Sequence, residues 1–182
     1  MGSSSFFTPS YRPQTPVKHK VFVSYHHGGD QAYYNLFSHK FHDTYDVIYD
    51  NSVEREIDSE DVNYVMQRIR DNYISGSSCT IVLVGAQTWG RKYVDWEIKS
   101  TLDKGHALIG VQLPTLPVDP RNGGTVSVPP RLHDNINTGF ASWLSWGVIT
   151  ASAAQLEQSI AVAKSRSTGL IDNTRERRLR NA

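Results

Sequence analysis

The chain has 182 residues, which suits one domain with a sizeable core and gives no reason to expect a second full one. Its 19 basic and 18 acidic residues give a formal net charge of +1, so the composition carries no broad electrostatic footprint for nucleic acid or an anionic membrane. Cys79 is the single cysteine, which excludes an internal disulfide framework and a cysteine-rich zinc site; no apolar run reaches the roughly 20 residues of a membrane span, and the first residues lack a secretory pattern. The expected setting is the reducing cytoplasm, with no membrane and no nucleic acid among the partners.

Residues 1–18 are rich in Ser, Pro and Thr without an apolar period and read as a flexible N-terminal arm. The fold is expected to begin at residues 20–25, a β-branched and aromatic run of strand length closed by His26, His27, Gly28 and Gly29. From Asp30, read as an N-cap, Tyr33, Leu36, Phe37 and Phe41 recur at helical spacing to about Asp43. Residues 46–50 form a short second strand. The acidic cluster Asp58, Ser59, Glu60 and Asp61 suits a helix N-terminus, and Val62, Val65, Met66, Ile69 and Tyr73 then mark the clearest helical stripe, stopped by Gly76. Residues 79–85 are apolar almost throughout, as in a strand buried on both faces at the centre of a parallel sheet. A third helix carries Val94, Ile98 and Leu102 to Gly105, and residues 106–113 make a fourth strand.

Between Pro114 and Gly139, five prolines and three glycines fit neither period, so a long irregular loop is expected, of the kind that is functional or disordered. Residues 139–149 read as a fifth, edge strand or a packed turn. Ser152 with Gln155 forms a capping box ahead of Leu156, Ile160 and Ala163 on the last helix. The domain is expected to span residues 19–165. The basic tail 166–182, with Arg175, Arg177, Arg178 and Arg180, reads as a solvated or disordered terminus. Alternating strands and helices imply right-handed βαβ crossovers and a single-domain α/β fold, one parallel sheet flanked by helices. Its site belongs on the rim where loops 26–30, 50–57, 85–90 and 113–139 gather.

A G-x-G-x-x-G after the first strand, a P-loop, a G-x-S-x-G elbow and an H-E-x-x-H pair are all absent, which removes most support from ordinary dehydrogenase, nucleotide-kinase and α/β-hydrolase readings. His39, His42 and Asp43 lie at near-neighbour helical spacing but read as a solvated face, and no metal site is assigned.

Three short segments carry more information. They are Val21-Phe22-Val23-Ser24-Tyr25 in the first strand, Ile81 to Thr88 across the third strand and its loop, and Tyr93 four residues before Glu97-Ile98 on the following helix. In this order and at these strand and helix positions they resemble the TIR-like domains, in particular the group that includes the NAD-consuming subunit of the Thoeris anti-phage system. The resemblance covers about residues 19–113; many TIR domains carry tryptophan where this chain has Tyr93, and the nearest tryptophan here is Trp96. It implies a flavodoxin-like, TIR-like sheet, Glu97 as the catalytic residue, and NAD as substrate with no further cofactor. It also implies an ADP-ribose-derived signal, cyclic or conjugated, that reaches a downstream effector protein in antiviral defence, and self-association through the loop at 50–57.

On a helical wheel Val94, Ile98 and Leu102 define the buried stripe, and Glu97 lies roughly 100° from Ile98, at its margin. Breaking the bond between nicotinamide and ribose builds positive charge on the sugar, which a carboxylate near the ribose stabilises while binding its hydroxyls. Without the resemblance, a solvated helix residue supporting Arg91, Lys99 or Thr101 is the simpler reading of Glu97. Ser24, Tyr25, His26 and His27 end the first strand on the same rim as candidate contacts to adenine or phosphates, with one histidine able to move a proton; a packed tyrosine beside solvated histidines is the bland alternative. Trp89 can stack on a base or lie under the helix, and Tyr93 completes the candidate substrate-binding set. Beside an NAD glycohydrolase or ADP-ribosyl cyclase stand two other readings: a non-enzymatic TIR-like interaction module, and a nucleoside deoxyribosyltransferase-like enzyme, which also sets a glutamate at a ribose.

Overall fold

A computed structural model describes residues 19–49, 61–119 and 123–182. Its strands are β1 (His19–Ser24), β2 (Tyr45–Tyr49), β3 (Cys79–Val84), β4 (Ala107–Gln112), β5 (Val118–Asp119), β6 (Thr125–Val126) and β7 (Ser142–Ser145). Its helices are α1 (His27–Phe41), α2 (Val62–Arg68), α3 (Lys92–Asp103), α4 (Pro130–Asn137), α5 (Trp146–Ile149) and α6 (Ala153–Lys164). Five strands form one sheet in the order β2-β1-β3-β4-β7, every neighbouring pair parallel. β3 is central and all six of its residues are buried. That is why its sequence does not alternate: with helices on both faces, neither set of side chains meets water. Its one hydroxyl, on Thr80, lies 2.7 Å from the Thr101 hydroxyl of α3.

Strand alternation sorts the core into two layers. Val21, Val23 and Tyr25, with Ile81, Leu83, Ile109 and Val111, pack against Phe37 and Phe41 of α1 and Leu156 and Ile160 of α6. On the opposite face Val82, Val84 and Leu108 meet Val94, Ile98 and Leu102 of α3 and Leu132 of α4. Phe22 projects to that same side, into a cluster with Val65, Met66, Ile69, Ile74 and Trp96. The strand order places β1's neighbours β2 and β3 on either side of it, which makes the β1/β3 junction the topological switch point of the sheet, where such folds open a crevice.

The structure departs from the expected elements in five places. α1 begins at His27 rather than Asp30; His26 occupies the N-cap position without a side-chain cap bond, and Asp30 is a buried carboxylate in the first turn. α2 passes into a π-helical turn, Ile69–Ile74, which brings Ile74, five residues on, to join Ile69 around Trp96. The stretch 114–139 is not one irregular loop: β5 and β6 pair antiparallel, Gly123 and Gly124 take the positive φ (65° and 79°) that the turn needs, and α4 follows with proline at its start. Residues 139–149 hold the expected edge strand, β7, but a short helix, α5, follows it where only a strand or a packed turn is expected. Lastly, the basic tail is not a solvated terminus, because residues 172–182 lie along α3 through a series of side-chain and backbone hydrogen bonds.

The cap expectations at Ser152 and Asp61 hold, whereas the one at Asp30 does not. Ser152 accepts the Gln155 amide at 3.1 Å, and Asp61 accepts the Tyr64 amide at 3.3 Å. The arm at 1–18, the loop at 50–57 and positions 58–60 lie outside the described residues. Among the described residues no helix is long and apolar enough to cross a membrane.

Candidate active site

Three chain segments meet at the carboxyl ends of β1 and β3: residues 24–30, the turn after Gly85, and the first half of α3. A buried carboxylate joins the first two. Asp30 is 2% exposed, and its Oδ2 accepts the Thr88 hydroxyl at 2.8 Å while Thr88 Oγ1 accepts the Gly85 amide at 2.9 Å. A Cβ at Gly85 would overlap that carboxylate, so glycine here makes room for the acid. Gly85→Ala should therefore cost about 1–3 kcal/mol by overpacking, a loss readable in the urea midpoint.

Burial pushes the Asp30 carboxyl above its ordinary value of 3.8. Opposing it are the hydrogen bond from Thr88, the nearby His26 and the backbone hydrogen bonds of His26 and Gly85. The folded state thus holds this proton more tightly than the unfolded chain does. The group's contribution to stability is complete below the unfolded pKa and is lost as pH rises through the folded one. Asp30→Asn, which does not ionise, should gain stability relative to wild type as pH climbs from about 4 toward neutrality. A stability difference that does not change over that window would refute the assignment.

The candidate residues divide between the two faces of the sheet. Tyr25 turns toward α1, where it stacks on Tyr34 (4.7 Å between ring centroids), and its hydroxyl donates to Gln31 Oε1 at 3.0 Å. His27 is half-buried beside it, with Nδ1 3.1 Å from the same Gln31 oxygen. His26 is buried with its ring over Gly28, and its backbone carbonyl accepts the Asp30 amide at 2.8 Å. Ser24 alternates to the other face, opposite Val82 in register, hence on the side of α3. Its hydroxyl is buried and has no hydrogen-bond partner among the described residues.

Glu97 lies on α3, over this same face, and is 5% exposed, which removes the solvated-helix reading. The turn that carries it is pinned to the central strand: the Thr101 hydroxyl donates to the Glu97 carbonyl at 2.8 Å and lies 2.7 Å from the Thr80 hydroxyl. Tyr93, one turn earlier, stands edge-on to Trp96 with centroids 5.3 Å apart. Trp96 rather than Tyr93 fills the centre of the pocket made with α2, so the aromatic role expected before the glutamate is shared by two side chains. Trp89 is not under the helix. It is 41% exposed at the rim, with the Arg178 guanidinium 5.9 Å from its ring.

Ser24, Tyr93 and Glu97 thus lie on the same side of the sheet, whereas Tyr25 and His27 lie on the other. Periodicity reads Asp30 only as a cap and assigns no role to Arg131, which the structure buries completely against Asp95. The one available signal for Asp30 is its place directly after the two glycines that end the β1 loop.

A family model for the TIR-like domain of the Thoeris protein ThsB matches residues 22–117, more than half of the chain. A protein of Bacillus cereus (strain MSX-D12) named "Putative cyclic ADP-D-ribose synthase ThsB1" is 33% identical over 48 residues. That match covers 26% of this chain and 25% of the relative, so the chain spans about a quarter of the length of the curated protein it resembles.

Proposed function

We propose that this chain, which belongs to the TIR-like domain family of the Thoeris protein ThsB, cleaves NAD between nicotinamide and ribose with Glu97 as the catalytic carboxylate. The observation that carries the reading is the position of Glu97, buried on the helix that follows the central strand, within the matched span and over the sheet face that holds Ser24. A carboxylate so placed has little water to screen it, which strengthens its attraction for a developing cation.

As the C–N bond breaks, its electron pair leaves with nicotinamide and the ribose carbon becomes oxocarbenium-like. Glu97 stabilises that charge and accepts hydrogen bonds from the ribose hydroxyls. The unpartnered Ser24 hydroxyl supplies a contact beside it, since a buried hydroxyl normally finds a partner. Water or an internal nucleophile of the ADP-ribose then takes the vacated carbon, giving ADP-ribose or a cyclic product. The name of the Bacillus relative supports the cyclic outcome, and with it a nucleotide signal read by an effector protein.

The test is to incubate NAD with the protein, alone and in lysate of infected cells, and to weigh the products by mass spectrometry. Equal amounts of nicotinamide and an ADP-ribose-derived nucleotide are expected. Nucleobase exchange on a deoxynucleoside without NAD cleavage would instead select the deoxyribosyltransferase reading. Inertness toward both substrates would leave an interaction module.

A further inference from the structure

α3 begins without a cap of its own. Arg91 holds the N-cap position and makes no side-chain cap bond, yet the first amides of a helix need acceptors. The acceptor comes from the far end of the chain: Asn181 Oδ1 takes the Lys92 amide at 2.9 Å. Next to it the Ala182 amide donates to the Gly90 carbonyl at 3.0 Å, and a Cβ on Gly90 would crowd Ala182.

The same segment grips α3 along its length. The Arg178 amide donates to Asp95 Oδ2 at 2.9 Å, and the Trp96 indole donates to the Arg178 carbonyl at 2.8 Å. Near the last turn, Asn173 Nδ2 donates to Asp103 Oδ1 at 2.8 Å. At the hub is Arg131, from the first turn of α4, with no exposed surface. It donates to both Asp95 oxygens (2.9 and 3.3 Å), to Asn173 Oδ1 (2.7 Å) and to the Glu176 carbonyl (3.1 Å). The four bonds of Arg131 all end on α3 or on the segment that covers it, a segment also held to α4 at Asn135 and Asp134, and Asp95 and Trp96 immediately precede Glu97 in the chain.

We propose that residues 172–182 form a positioning strap: Asn181 caps α3 from across the fold, Asn173 and the Arg131 hub hold its flank, and together they fix the helix turn that presents Glu97. This rests on the reading of Glu97 as the catalytic carboxylate. The strap's side chains touch α3 rather than the reacting atoms, so Asn173 and Asn181 are positioning residues.

The test compares the full chain with Asn173→Ala/Asn181→Ala, which removes two partly or fully exposed side chains and leaves the buried ion pair intact. Amide hydrogen exchange in the first turn of α3 should speed up about fivefold, the usual scale of a lost cap. Turnover of NAD should fall by about the same factor while KM moves by less than about twofold. Restoring the acceptor as Asn173→Ala/Asn181→Asp should recover the first-turn exchange and only part of the turnover, because aspartate caps as well as asparagine and its charge suits a helix N-terminus, while the bonds of Asn173 stay lost. Unchanged exchange in α3 would overturn the strap, and loosened exchange with unchanged turnover would overturn its positioning role. A rise in turnover would also contradict the proposal, by showing that the strap restrains α3. A wild type inert toward NAD counts against the cleavage reading instead, and the exchange measurement then decides by itself whether the strap holds α3.

Discussion

Glu97→Gln is expected to lower NAD turnover by about 100-fold or more while NAD binding changes little. The amide keeps the size and helix propensity of glutamate but carries no charge, so it cannot match the growing positive charge on the ribose. Its carbonyl still accepts a hydrogen bond from a ribose hydroxyl, which is why ground-state affinity should persist. The position is buried rather than rim-exposed, so losing one charged acceptor should cost about 1 kcal/mol of stability, too little to unfold the chain. The diagnostic pattern is lost turnover with a retained circular dichroism spectrum and retained affinity. Wild-type turnover in the variant would end the catalytic role of Glu97.

The largest effect on stability is expected at Arg131. Its ion pair with Asp95 is enclosed, the two side chains being 0% and 7% exposed, and Arg131→Ala would leave Asp95 buried with its charge uncompensated. Breaking a buried pair from one side costs about 3–5 kcal/mol. For a chain of this size that should lower Tm by roughly 10 °C. Arg175 offers the internal control. It reaches Asp134 through two hydrogen bonds of 2.7 and 2.9 Å, but its side chain is 47% exposed, and Arg175→Ala should cost less than about 1 kcal/mol. Differential scanning calorimetry on the two variants compares the same chemistry in and out of water. Equal losses would mean that burial does not set the worth of the Arg131 pair.

The sheet was legible in the sequence because its signals are local. Residues 79–84 are apolar at every position but Thr80, which only a strand covered on both faces requires, and Val94, Ile98 and Leu102 mark the inward face of α3 by spacing alone. Ser152 announces its helix by a hydroxyl three residues ahead of the amide it accepts. What escaped depends on contacts distant in sequence. Asp30 has the composition of a cap, and only its meeting with Thr88, 58 residues on, makes it a buried acid. The π-helical turn at Ile69–Ile74 leaves no mark in a period of 3.6, so the stripe does not reveal that Ile74 packs with Ile69. The tail's arginines, read as charges, point only to solvent. Its asparagines and backbone amides, which hold it to α3, carry no periodic signal at all. At the candidate site, the motif pointed to Glu97 and Ser24, but their common face follows from strand register.

The measurement that bears most directly on the central claim is nicotinamide release from NAD, followed by chromatography for the wild type and for Glu97→Gln in parallel samples of infected-cell lysate. Nicotinamide should accumulate as NAD disappears in the wild-type sample and stay near the lysate background with the variant. No release above background from the wild type, or equal release from both proteins, would contradict the account.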